Sequence, residues 1–158
     1  MIIMAVDPGA SGGIAILSGV VVSAFPTPDT DEKIVELLRS QCEPLTPAIC
    51  IFEKVGGYIG EKQPGSAMFN FGDSNGFVRG VIKSMGIPVE MVTPQNWQKI
   101  IGIPKRSKEE TKINWKDRLV AKAQSLYPRT FAGLNKTQSR AIADAVLMLE
   151  YGRRLRNF

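Results

Sequence analysis

The stretch Met1-Ile2-Ile3-Met4-Ala5-Val6-Asp7-Pro8-Gly9-Ala10-Ser11-Gly12-Gly13-Ile14-Ala15-Ile16-Leu17 decides how the chain is read. An apolar run ends in an acid, four turn-forming residues follow, and a second apolar run covers residues 12–17. Two such runs around a Gly/Pro/Ser turn read as a β-hairpin. Residues 20–25 extend it to a third strand, ended by Pro26 and Pro28. Asp7 stands where the first strand meets the turn, an odd place for a carboxylate with no function.

Working outward, Asp29-Thr30-Asp31 offers helix N-cap residues, and Ile34, Leu37 and Leu38 follow at helical spacing. Residues 48–52 form a buried strand that runs into Glu53, and 54–65 form a Gly-rich loop carrying Tyr58. A helix is expected from Ser66 to Lys83, stopped by Gly86 and Pro88. Gly72, Gly76 and Gly80 recur on one of its faces, and glycine inside a helix costs roughly 1 kcal/mol relative to alanine. Close packing of a second backbone, within the sheet layer or across a dimer, is the expected reason. Residues 89–92 are another strand, and Thr93-Pro94 opens a short helix. After a basic loop at 105–108, helices are expected from about Glu109 to Leu126 and from about Thr137 to Arg154. Three antiparallel strands feeding parallel strands through crossover helices make an α/β fold, a mixed five-stranded sheet flanked by helices.

The 158 residues amount to one domain, 1–158, with 44% hydrophobic and 22% charged residues, which argues against disorder. No apolar run approaches the roughly 20 residues that span a bilayer, and the start lacks a basic signal-peptide region. A cytoplasmic protein with reduced thiols at Cys42 and Cys50 is expected. The absence of histidine removes the usual general base and the commonest zinc ligand. Chemistry must then run on carboxylates, hydroxyls or lysines. Charge is uneven: residues 1–104 hold 7 Lys+Arg against 10 Asp+Glu, and residues 105–158 hold 13 against 5. The back third therefore either grips a polyanion or presents a solvated basic face.

Three acids stand in apolar surroundings: Asp7 and Glu53 at strand ends, and Asp144 within Ala141-Ile142-Ala143-Asp144-Ala145-Val146-Leu147. An unpaired carboxylate there is costly, so each is paired, protonated or metal-bound. If the two strand ends are neighbours, Asp144 can reach both from a packed helix. Oxygen-only ligands favour Mg²⁺ or Mn²⁺ over zinc and suit metal-assisted phosphodiester hydrolysis. Each acid could instead cap a turn or pair with a base; three separate excuses are harder to find than one.

These residues, in order, resemble the RuvC-type Holliday junction resolvases of bacteria and phages. Val6-Asp7-Pro8-Gly9 with Gly12-Gly13-Ile14-Ala15 resembles the first motif, and Phe52-Glu53-Lys54 with its Gly-rich loop the second. Val92-Thr93-Pro94-Gln95-Asn96-Trp97 resembles a segment of the phage members, as does Lys116-Asp117 ahead of Tyr127-Pro128. Ala143-Asp144-Ala145-Val146-Leu147 with Glu150-Tyr151-Gly152 resembles the last motif. The resemblance implies an RNase H-like fold, a homodimer, two Mg²⁺ (or Mn²⁺) ions and paired nicks in branched DNA. It makes Asp7, Glu53 and Asp144 metal ligands and puts Lys116 on the phosphate near the cut, with Lys112 one turn earlier. Tyr58 lies where the family carries an aromatic wedge; a tyrosine folded over its own loop is the alternative. One departure matters. The family's further acid, three or four residues before the last Asp, is here Ala141 or Arg140, so the site either acts with three acids or binds junctions without cutting them.

Lys105, Arg106, Lys108, Lys112 and Lys116 are the expected DNA-binding residues. Lys108, Lys112 and Lys116, spaced by four, would line one helix face and suit a phosphate backbone. Trp115 and Leu119 are expected in the core. Arg153, Arg154 and Arg156 either form a solvated tail or extend the grip.

Overall fold

The structure, a computed structural model, describes residues 2–43, 46–56 and 65–156. Five strands, β1 (Ile2–Asp7), β2 (Gly13–Ser18), β3 (Val21–Pro26), β4 (Ile49–Glu53) and β5 (Val89–Val92), form one sheet in the order β3-β2-β1-β4-β5. The first three are antiparallel neighbours, whereas β4 pairs parallel with β1 and with β5. The helices are α1 (Asp31–Cys42), α2 (Gly65–Ser84), α3 (Pro94–Ile101), α4 (Lys112–Leu126) and α5 (Lys136–Leu155), with a 3-10 turn at Pro128–Phe131. The mixed sheet and its order of elements are those expected from the sequence, with boundaries shifted by a few residues.

Alternation along the strands builds two cores. Ile3, Ala5, Ala15, Leu17 and Ile51 face α5, joined by Trp97 of α3 and Leu119 and Ala123 of α4. Met4, Val6, Ile14, Ile16, Cys50 and Phe52 face the other way, against Ile34 and Leu38 of α1 and Val78 and Ile82 of α2. Period-two side-chain direction then assigns the strand-end acids. Asp7 shares parity with Ile3 and Ala5, and Glu53 with Ile51, so both belong to the α5 face.

Local chemistry sets the helix ends. Thr30 caps α1 by accepting from the Lys33 N–H, and Thr111 caps α4 through Asn114. Asn135 and Gln138 form a reciprocal capping box on α5. At α3, Thr93 occupies the cap position without a side-chain bond, and Pro94 begins the first turn. Gly102, at φ 76°, ends α3 in the left-handed region. Helix α5 is buried without interruption from Ala141 to Gly152, because it lies across four strands and against α3 and α4.

Two expectations change. Helix α4 begins at Lys112, three residues later than expected, so Lys108 is not on its face; only Lys112 and Lys116 share it. Arg118 fastens the preceding loop, donating to both carboxylate oxygens of Glu110 (3.1 and 2.8 Å) and to the Pro104 carbonyl. The glycines of α2 do not admit a second backbone within the described residues: a Cβ placed on Gly72, Gly76 or Gly80 meets nothing within 4 Å.

Candidate active site

Val6 pairs with Phe52 across β1 and β4, so the next residues, Asp7 and Glu53, leave adjacent parallel strands side by side. Both are buried, each about 9% exposed, and Asp144 of α5 is 7% exposed. The turn after Asp7 folds back tightly. A Cβ on Gly12 would collide with the Asp7 carbonyl, and one on Gly13 would lie 2.7 Å from the Ala141 carbonyl of α5. The two glycines therefore permit the hairpin to close and α5 to reach the strand ends.

Trp97 and Lys116 complete the group. The Trp97 indole Nε1 donates to Glu53 Oε1 at 3.0 Å, fixing the carboxylate from α3. The Lys116 ammonium, from α4, donates to Asp144 Oδ2 in a close ion pair. Asp144 Oδ1 is buried without a hydrogen-bond partner. Such an orphan acceptor is expensive unless a cation or donor meets it.

Electrostatics reflect the crowding. Burial, then the Asp144 and Glu53 charges, raise the Asp7 carboxyl well above the usual range, against the opposing pull of Lys116. Burial also raises Glu53, and its bond from Trp97 acts against that rise. Burial disfavours the Lys116 ammonium, but the surrounding carboxylates, Asp144 first, outweigh it and raise its pKa. One lysine thus stands against three acids.

Among the described residues no three His, Cys, Asp or Glu side chains are arranged so as to hold a metal ion, and Lys116 occupies Asp144. The donor chemistry nevertheless fits a hard divalent cation. The acids are all-oxygen donors, they press their charges on one another, and one buried oxygen lacks a partner.

The other basic residues sort differently. Lys105, Arg106, Lys108 and Lys112 are exposed, with Arg106 Nε bonded to the Glu110 carbonyl. Arg140, at one of the positions of the family's further acid, turns outward to form a two-pronged pair with Asp117. Ala141 is buried, its carbonyl close against Gly13 of β2. Arg153 and Arg154 are not a solvated tail: both bind Glu150, which also accepts from the Tyr127 hydroxyl. Arg156 pairs with Glu90 of β5. Trp115 is half-buried beneath Arg118, whose guanidinium lies 4.5 Å from the ring centre, and Leu119 is buried, as expected. Tyr58 lies outside the described residues. Sequence reading missed the Trp97–Glu53 bond and the Glu150 cluster; for the latter, the i,i+3 and i,i+4 spacing of Glu150 to Arg153 and Arg154 was an available signal.

A five-stranded mixed sheet with helices on both faces and acids at the ends of its two central parallel strands defines the RNase H-like fold class. No protein-family model matches the sequence, and no curated protein matches it. Among solved structures, Thermus thermophilus RuvC matches with TM-score 0.60 and 13% identity, over 99% of this chain and 97% of that one. T. thermophilus RuvC in complex with a Holliday junction substrate matches with TM-score 0.64 and 12% identity, over 98% and 96%. The chain has the RuvC fold over nearly its whole length.

Proposed function

We propose that the chain is a metal-dependent endonuclease that cuts branched DNA, four-way junctions above all. The observation that carries this reading is the gathering of Asp7, Glu53 and Asp144, from two strands and one helix, beside the Lys116 ammonium. The RuvC fold supports it, one of the similar structures being a complex with a Holliday junction.

Asp7 and Asp144 would hold one Mg²⁺ or Mn²⁺ ion, and Asp7 and Glu53 a second. When bound, such ions activate a water and stabilise a leaving alkoxide. The chain's own residues do the rest. Trp97 keeps Glu53 oriented, and the Gly12-Gly13 turn holds Asp7 at the strand end. Lys116 neutralises a non-bridging phosphate oxygen after leaving Asp144. The exposed lysines of the 105–112 segment bind flanking phosphates. Two sites acting on one junction would come from a homodimer. A junction-binding protein with little cleavage is the second reading, favoured by Ala141 and by the hold of Lys116 on Asp144.

The test is cleavage of a labelled four-way junction beside a matched linear duplex, with and without Mg²⁺ or Mn²⁺. Metal-dependent nicking of the junction alone is expected. Asp7→Asn should abolish cutting while junction binding, measured by gel shift, stays within a few-fold; normal cutting by Asp7→Asn would refute the site. Tight binding without cutting by the unaltered chain would select the second reading.

A further inference from the structure

The ion pair between Arg140 and Asp117 stands next to the one at the candidate site. Arg140 lies one turn before Asp144 on α5, and Asp117 follows Lys116 on α4. The pairs Arg140–Asp117 and Lys116–Asp144 are therefore neighbouring ties between the same two helices. The first is open to solvent, with 31% of the Arg140 side chain and 50% of the Asp117 side chain exposed. In the second, Asp144 keeps only 10%. A shallow depression of about 260 Å³ adjoins the exposed pair, with Asp117, Gln124, Lys136, Ser139 and Arg140 as its polar lining.

Asp117 is an acid in basic company. Lys112 and Lys116 share its helix, and Arg140 and Lys136 act on it from α5. Hydrogen bonds from Arg140 foremost, and the charges of Arg140 and Lys136 with them, hold its carboxyl below the usual range against the opposing effect of desolvation. The contact is a fork: Arg140 Nε donates to Oδ1 at 2.7 Å and Nη2 to Oδ2 at 2.9 Å. Two oxygens of a phosphodiester present a guanidinium with the same fork. An ion pair this exposed adds little to stability, so exchanging its carboxylate for a phosphate gives up little. At the position of a missing acid the chain thus carries a cation, turned away from the remaining acids and onto the surface.

We propose that Asp117 is a placeholder, and that a DNA phosphate close to the one at Lys116 takes its place on Arg140, with Lys136 beside it. The inference rests on the reading of the chain as a nuclease on branched DNA, and it sets the path of one strand. That strand runs from Lys112 over Lys116 to Arg140 and Lys136, along the seam of α4 and α5. Asp117 acts as a brake on affinity, because its pair with Arg140 must open before the phosphate docks.

The test is binding of a labelled four-way junction without divalent cation, followed by fluorescence anisotropy across a salt series. Thermal denaturation of each DNA-free variant runs alongside. Arg140→Gln should weaken binding about tenfold and reduce the slope of log affinity against log salt by about one. Asp117→Asn should do the opposite and tighten binding about fivefold, because it releases Arg140 and removes a negative charge beside the phosphate. In an Arg140→Gln background the same Asp117→Asn change should gain much less. A mere tie between helices predicts otherwise: both substitutions break it, so both would lower the melting temperature and neither would tighten binding. Unchanged affinity and salt slope in Arg140→Gln would overturn the proposal, as would an equal gain from Asp117→Asn with and without Arg140. Junction binding that responds to Arg140 but leads to no cutting in Mn²⁺ would leave the Arg140 assignment standing and remove the nuclease reading. An unaltered chain that binds no DNA would remove both.

Discussion

Lys116 sits where a cation is wanted, and its removal separates two of its roles. The ammonium pairs with Asp144 in the structure, so it would compete with a divalent ion for the charge of the same carboxylate. Lys116→Met should raise Mn²⁺ affinity by roughly tenfold, about 1.4 kcal/mol, in calorimetry on DNA-free protein, while cleavage falls for want of the phosphate contact. Unchanged Mn²⁺ affinity would show that the pair does not compete. Glu150 illustrates the opposite economy, a buried acid satisfied wholly within the protein. Burial pushes its carboxyl up, but hydrogen bonds from Arg153, Tyr127 and Arg154 prevail and hold it down at about 2, below the ordinary 4.5. A depressed carboxyl stabilises the fold above the unfolded value and loses that contribution as pH falls from about 4.5 to about 2. Glu150→Gln should therefore cost on the order of 3 kcal/mol in urea denaturation at pH 7, with the gap closing near pH 2. The three clustered acids were legible in the sequence because two of them end apolar strands and the third interrupts an apolar helix. Glu150 was not among them; the spacing of Arg153 and Arg154 pointed to partners on α5, and only the fold shows the third, the Tyr127 hydroxyl at the end of α4.

Helix α5 meets the sheet closely at two glycines, and they differ in what a methyl group would strike. On Gly13 it would press the backbone carbonyls of Ala141 and Phe25, which cannot turn aside. On Gly152 it would meet Ile51 Cγ1 at 2.9 Å, part of a fully buried, β-branched side chain packed beside Ile3. Thermal denaturation should show Gly13→Ala losing about 3 kcal/mol or more, with Gly152→Ala losing less, roughly 1–2 kcal/mol, because a core side chain rather than backbone must shift and alanine favours the helix. The α2 glycines predict the reverse. Gly72, Gly76 and Gly80 have no neighbour for a methyl group among the described residues, so alanine at Gly76 and Gly80 should stabilise an isolated chain by up to about 1 kcal/mol each. If that face closes a dimer, light scattering should instead show the variant dissociating. The order of the elements was readable from apolar runs and turn residues. The start of α4 was not, since Thr111 and the Arg118–Glu110 clamp, rather than the lysine spacing, set where the helix begins.

At the scale of the whole molecule, the sequence carried the strand count and the uneven charge but not the handedness of the site, meaning which face of the sheet receives the acids. That follows from register: the pairing of Val6 with Phe52 and the odd-numbered side chains beneath α5 bring Asp7 and Glu53 to the same face as Asp144. Two acids thus come from the first two-thirds of the fold and the third from a helix that follows every strand. The same helix covers β1 to β4 on one side of the sheet, from Ile3 and Leu17 to Ile51. During synthesis on a ribosome, a chain that had emerged only through β5 would hold the residues of α1 and α2 for one sheet face and nothing yet to cover the other. It would also have Asp7 and Glu53 without Asp144. Completion of the hydrophobic seal and completion of the acid trio are then one event, so the proposed cutting of DNA would await the arrival of α5 and be beyond a half-made molecule.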